Sequence, residues 1–205
     1  MAFKTPLWSP SQASAIIFDW DGIIADTRLD FSEIRQKYYG PGPAMLLEDS
    51  RFLRPSAREA MMSELEDTEV LGAEEATWIN GARETLEWVN RARKPWAIVS
   101  RNCKKSIFTA AEALKMKLPA VVRSRDDGDC VKPDPRALLE TCGLLSVSPA
   151  QTLLVGDYIY DVMGARRTGM RSALVREKIE PGWAEWLECS FPSMSDFLEN
   201  LENPS

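Results

Sequence analysis

Five short runs of the chain are apolar or nearly so, two of them opening on Thr152 or Ser172, and amphipathic stretches separate them. The runs cover residues 15–18, 96–99, 120–122, 152–155 and 172–175. Strands buried on both faces of a parallel sheet have this pattern. Between them, residues 81–93 place Leu86, Trp88 and Val89 at helical spacing with charges opposite. Residues 104–115 do the same with Ile107, Phe108, Ala111 and Leu114. Residues 134–142 open on an Asp-Pro pair and are followed by Gly143, while residues 157–168 are closed by Gly169. Both are helix-boundary signals. Strand and helix in alternation predict βαβ units and an α/β fold with a doubly wound parallel sheet.

One stretch breaks the alternation. Between residues 28 and 80 no strand pattern is evident, only helical ones over 31–39, 44–49, 56–66 and 69–78. Gly40-Pro41-Gly42-Pro43 and Arg54-Pro55 punctuate them. About fifty residues is too long for a simple crossover, so a small all-helical insertion is expected there. The division read from the sequence is a core of residues 12–27 and 81–205, with a helical unit over 28–80. Residues 1–11 and 203–205 read as loose termini.

Composition narrows the class. Hydrophobic residues make up 44% and charged residues 27%, an ordinary soluble globular profile. The net charge of −6 counts against nucleic acid as a partner. The start of the chain lacks a signal-peptide core, and no apolar run reaches membrane-spanning length, so no membrane association is expected. Cys103, Cys130, Cys142 and Cys189 lack CxxC spacing and read as reduced thiols of a cytoplasmic protein. The chain has no histidine. That excludes Ser-His-Asp catalysis, His-ligated zinc and phosphohistidine chemistry.

Ligands of open α/β sheets sit at the carboxyl ends of the strands. The first strand ends on Asp19 and Asp21, and the second on Ser100, Arg101 and Asn102. The fourth ends on Asp157, with Asp161 one turn into the next helix, and Lys132 lies in a loop before a helix. Four converging carboxylates repel unless cations offset them. Oxygen-only donors favour Mg²⁺, and phosphoryl transfer is the chemistry such a set serves.

In this order the pieces resemble the motifs of the haloacid dehalogenase (HAD) superfamily, in its phosphoglycolate phosphatase-like branch. Asp19-Trp20-Asp21-Gly22-Ile23-Ile24-Ala25-Asp26-Thr27 is similar to DxDGxxxDT, and Gly156-Asp157-Tyr158-Ile159-Tyr160-Asp161 to GDxxxD. Ser100 stands for the strand-closing Ser or Thr, and Lys132 for the lysine of a KP-type loop. The resemblance implies a HAD-like Rossmannoid core in which residues 28–80 form a cap. It implies Asp19 as nucleophile through a phosphoaspartate, Asp21 as general acid/base, and Lys132 paired with Asp19 and the phosphate. Ser100, the Arg101 amide and Asn102 would bind phosphoryl oxygens. Asp19, Asp157, Asp161 through water, and the Asp21 carbonyl would hold Mg²⁺.

Asp21 is carried by phosphoryl-transfer members and lacking in dehalogenases, so the expected activity is hydrolysis of a small phosphomonoester. Two alternatives stay open: a phosphosugar mutase-type phosphotransferase, and a catalytically idle binding protein. The substrate and the oligomeric state are not legible. Arg28, Arg35, Arg51, Arg54 and Arg58 make the front of the insertion basic, and a second anionic group on the substrate would find partners there.

Overall fold

The computed structural model describes residues 8–128 and 130–204. The loose termini expected at residues 1–7 and 205 lie outside these. Of the rest of the expected N-terminal tail, Pro10–Gln12 forms a 3-10 turn capped by Ser9, and Pro10 is buried.

A parallel sheet of six strands forms the centre. Its strands are β1 (Ala15–Phe18), β4 (Trp96–Val99), β5 (Val122–Arg123), β6 (Thr152–Gly156), β7 (Arg171–Val175) and β8 (Cys189–Phe191), in the order β5-β4-β1-β6-β7-β8. Alternate residues of β1 face opposite ways. Ile16 and Phe18 join Leu86, Val89, Ile107, Ala110 and Phe197 in one cluster. That cluster packs α3 (Ala82–Arg91), α4 (Lys104–Ala113) and α7 (Met194–Glu202) on one face. Ile17 joins Ala97, Leu138, Leu154 and Ala165 on the other face, covered by α5 (Pro135–Leu145) and α6 (Ile159–Thr168). Burial on both faces explains the unbroken apolar runs. The order reverses at β1, whose partners are β4 on one side and β6 on the other.

The excursion between β1 and α3 departs from the expectation in three places. Two strands, β2 (Ala25–Asp26) and β3 (Thr77–Trp78), pair antiparallel where Trp78 was expected to end a helix. They bring both ends of the excursion together at the sheet edge, and at two residues each they are too short to show periodicity. Residues 44–49 form turns leading into a 3-10 segment, Asp49–Phe52, rather than a helix. A single helix, α2 (Pro55–Glu74), replaces the two expected over 56–78. Its buried stripe reads Met61, Leu65, Glu69, Ala73. The glutamate in the third place interrupts the apolar pattern without interrupting the helix. With α1 (Ser32–Tyr39), α2 encloses its own small cluster of Ile34, Leu46, Met61 and Leu65. No helix among the described residues is long and apolar enough to cross a membrane.

Candidate active site

The carboxyl end of β1 is a tight turn. Asp19 N–H donates to the Val155 carbonyl at 2.8 Å, and the amides of Ile24 and Ala25 return to the Trp20 carbonyl. Fully buried Trp20 anchors the turn in the core, so Asp19 and Asp21 are left to face the cavity.

Lys132 reaches this point from the loop before α5. Its side chain is fully buried, and its Nζ lies 2.7 Å from Asp19 Oδ1 and 2.7 Å from Asp161 Oδ1. Burial alone would lower its pKa, but Asp161 and Asp19 hold the ammonium above its ordinary value. The amide of Trp20 donates to the same Asp19 oxygen at 2.7 Å. The Lys132–Pro133 peptide is cis.

Asp157, just past β6, and Asp161, in the first turn of α6, complete an acidic cluster. Each of Asp19, Asp157 and Asp161 offers a carboxylate oxygen, and these oxygens lie within 4.8 Å of one another. Burial, then the charges of Asp19 and Asp161, push Asp157 up to about 8. Burial pushes Asp161 up to about 6 despite Lys132. Buried carboxylates this close together are favoured in their ionised form by a cation, and one lysine faces three of them. Hard oxygen donors without histidine suit Mg²⁺, so the residues present fit that ion.

Two glycines make this convergence possible. A β-carbon on Gly156 would collide with the Asp161 carboxylate, and one on Gly22 with the carboxylate of Asp157. Gly22 also has φ +74°, which side chains disfavour. Both glycines stand in the sequence motifs, but their part in admitting the carboxylates is visible only in three dimensions.

Asp21 is held by Thr27 Oγ1, which donates to its Oδ1, and by Asn102 Nδ2, which donates to its Oδ2. Burial outweighs these bonds and raises its pKa to about 7. Asn102 was expected at the phosphate, yet its amide group is engaged by Asp21. Ser100 Oγ accepts from the Asn102 amide at 3.1 Å, which leaves its own proton to donate. The Arg101 N–H has no hydrogen-bond partner among the described residues. The Arg101 guanidinium, by contrast, is occupied. It donates to Glu48 at 2.6 and 3.0 Å and to the Lys132 carbonyl, and stacks over Tyr160.

Asp19, Asp21, Ser100, Arg101, Asn102, Asp157 and Asp161 line a cavity of about 600 Å³ with Arg28, Arg35, Phe31, Leu46, Tyr158 and Tyr160. Of the other arginines named from the sequence, Arg51 and Arg58 line a separate depression. Arg54, at the start of α2, lines neither. Thr27, Glu48, Glu69 and Arg125 gained no role from the sequence reading. Thr27 belongs to the first motif, while the others carry no local signal.

Known proteins are similar to the chain in sequence and in fold. The chain is 27% identical to the N-acetylmuramic acid 6-phosphate phosphatase of Pseudomonas aeruginosa, covering 79% of this chain and 81% of that one. It is 35% identical to a phosphoglycolate phosphatase of Pseudomonas fluorescens over 44% of this chain and 34% of that one. A hydrolase from Pseudomonas syringae superposes with a TM-score of 0.77 at 19% identity, covering 93% of this chain and 99% of that one. The haloacid dehalogenase-like hydrolase family matches residues 16–175, more than half of the chain. The protein therefore belongs to the haloacid dehalogenase-like hydrolase family.

Proposed function

We propose that the chain is a Mg²⁺-dependent phosphatase that hydrolyses a small phosphomonoester through a phosphoaspartate on Asp19. The observation that carries this reading is Lys132 Nζ standing 2.7 Å from both Asp19 and Asp161, within a cluster of three carboxylates whose charge one ammonium does not balance. Asp19, Asp157 and Asp161 would hold Mg²⁺, with the Asp21 carbonyl. When bound, the ion offsets negative charge on the cluster and on the phosphoryl group.

The chain's own residues account for the rest. The Asp19 carboxylate, oriented by Lys132 and the Trp20 amide, attacks phosphorus as the bond to the leaving oxygen breaks. That oxygen takes the proton of Asp21, whose pKa near 7 keeps it partly protonated at neutral pH. Asp21, now ionised, takes a proton from water. The water oxygen attacks phosphorus, the bond to Asp19 breaks, and phosphate leaves with Asp21 reprotonated. Ser100 Oγ and the Arg101 N–H would bind phosphoryl oxygens through both steps.

Residues 28–80 are read as the cap over this cavity. The two named relatives act on N-acetylmuramic acid 6-phosphate and phosphoglycolate. A cavity of about 600 Å³ favours an alcohol portion of sugar size over a two-carbon one. The test is a panel of phosphorylated metabolites with Mg²⁺, scored by free phosphate, beside p-nitrophenyl phosphate. Turnover that requires Mg²⁺ and disappears in Asp19→Asn is expected. A wild type inactive on every phosphoester overturns the reading, and phosphate retained on a sugar points to the mutase-type phosphotransferase instead.

A further inference from the structure

Glu69 takes the third place in the buried stripe of α2, and its side chain is 2% exposed. Its Oε1 accepts from Arg125 Nη1 at 2.6 Å, and its Oε2 from Arg125 Nη2 at 3.0 Å. The same Oε2 accepts from the Cys103 amide at 2.8 Å. Arg125 carries the connection onward. Its Nη1 donates to the Arg101 carbonyl at 3.0 Å, and its backbone N–H to the Asn102 carbonyl at 2.8 Å. The backbone of residues 101–103 is thus fastened at three points by a glutamate from the inserted helix and an arginine from the loop after β5.

Burying two charges is a poor way to gain stability. The desolvation cost offsets much of the attraction, and apolar replacements of similar volume are often as stable. A bidentate pair does fix position, because the guanidinium fork meets a carboxylate in one planar arrangement. The segment it fixes begins one residue after Ser100 and includes the Arg101 N–H that faces no protein acceptor.

We propose that Glu69 and Arg125 are positioning residues, which couple the inserted helix to the 100–103 segment and set Ser100 and the Arg101 amide for a phosphoryl group. This rests on the reading that the segment binds phosphate. It makes α2 part of the phosphate site and not only a cover over it. A shift of α2 would then change phosphate binding even where the leaving group touches nothing on that helix.

A role in fold stability alone is separated by removing both charges together. E69L/R125M leaves no buried unpaired charge but strips the Cys103 amide and the Arg101 carbonyl of a partner, so the variant is expected to fold with a thermal midpoint by circular dichroism moderately below that of the wild type. Its affinity for inorganic phosphate with Mg²⁺, measured by calorimetry, is expected to fall about 10- to 100-fold, the scale of an ångström-sized misplacement. Its kcat/KM on p-nitrophenyl phosphate should fall with it. Should the double variant not fold, E69Q keeps the shape and is read below its own midpoint, with a loss in the same direction. A folded variant of either kind that binds phosphate as tightly as the wild type overturns the proposal. A wild type that binds phosphate but turns over no phosphoester overturns the hydrolysis reading alone, since the positioning role is read from binding.

Discussion

Lys132 and Asp161 form a buried ion pair with Nζ 2.7 Å from Oδ1, and the same ammonium holds Asp19 at an equal distance. One lysine thus joins the proposed nucleophile to the acidic turn of α6. With Lys132→Met, Asp19, Asp157 and Asp161 keep their mutual repulsion and lose the buried ammonium that pairs with two of them. The expected result is a fall in kcat/KM of about 10²- to 10³-fold, typical of losing one group that stabilises transferring charge. Lys132→Arg is expected to rescue little, because a planar fork does not fit a site shaped for a compact ammonium. Steady-state kinetics on p-nitrophenyl phosphate checks both, and an active methionine variant would remove Lys132 from the site.

The acidic cluster also ties stability to pH. Asp157 rises from 3.8 to about 8 and Asp161 from 3.8 to about 6, chiefly through burial. A folded-state pKa above the unfolded one means that the native, metal-free protein binds more protons. The resulting stabilisation is full below pH 3.8 and is lost as pH rises through about 6 for Asp161 and about 8 for Asp157. Mg²⁺ competes with those protons and needs the ionised cluster. The rise in thermal midpoint on adding Mg²⁺ is therefore expected to be larger at about pH 8 than at about pH 5.5. Differential scanning fluorimetry decides it, and an equal rise at both values would count against a metal on these carboxylates.

Asp21 gives a separate pH signature. Its pKa of about 7 is set by burial, against hydrogen bonds from Thr27 and Asn102 that favour the ionised form. An alkyl phosphate needs the protonated carboxyl to release its alcohol, so kcat/KM should decline as pH rises through about 7. Thr27→Val removes the stronger of the two bonds and is expected to move that limb to higher pH. p-Nitrophenyl phosphate, whose leaving group departs unprotonated, should show a weaker decline. A limb unmoved in Thr27→Val would take Asp21 out of the proton-transfer role.

Much of this is legible in the sequence, and the reasons differ by residue. β1, β4 and β6 are buried on both faces, so their apolar runs stood out, and the residues that end them met at the sheet edge as topology requires. β2, β3 and β8 span two or three residues, too few for a period. Glu69 sits in a helix pattern that a buried charge disguises, and its partner Arg125 is 56 positions away. The roles of Arg101 and Asn102 depended on side-chain direction. Their place after β4 was legible, but not that one turns to Glu48 and the other to Asp21.

Glycine at positions 22 and 156 is expected to be irreplaceable for function. Gly156→Ala places a methyl group against the Asp161 carboxylate, with backbone and a buried helix turn leaving it little room to yield. Gly22→Ala meets Asp157 and adds the strain of positive φ, about 1–2 kcal/mol. Both variants should bind Mg²⁺ at least about tenfold more weakly in calorimetry, as displaced metal ligands do. Wild-type affinity in Gly156→Ala would show that Asp161 can leave its place without cost to the metal.

The inserted segment offers the last test. Arg28 and Arg35 line the cavity while Arg51 and Arg58 line another depression, so four of the five arginines named from sequence divide into two sets. Arg35 has its Nε committed to the Ala44 carbonyl at 3.3 Å, which fixes the side chain and leaves its terminal nitrogens for a ligand. Arg28 lies 4.0 Å from Asp26, a pair exposed enough to contribute little. If the substrate carries a second anionic group, Arg35→Ala should raise KM for it by about tenfold, the scale of one charge-assisted hydrogen bond. KM for p-nitrophenyl phosphate, which lacks such a group, should stay where it is. Arg51→Ala and Arg58→Ala should change neither. A KM unchanged for both substrates in all three variants would mean that recognition rests on the wall of Phe31, Leu46, Tyr158 and Tyr160.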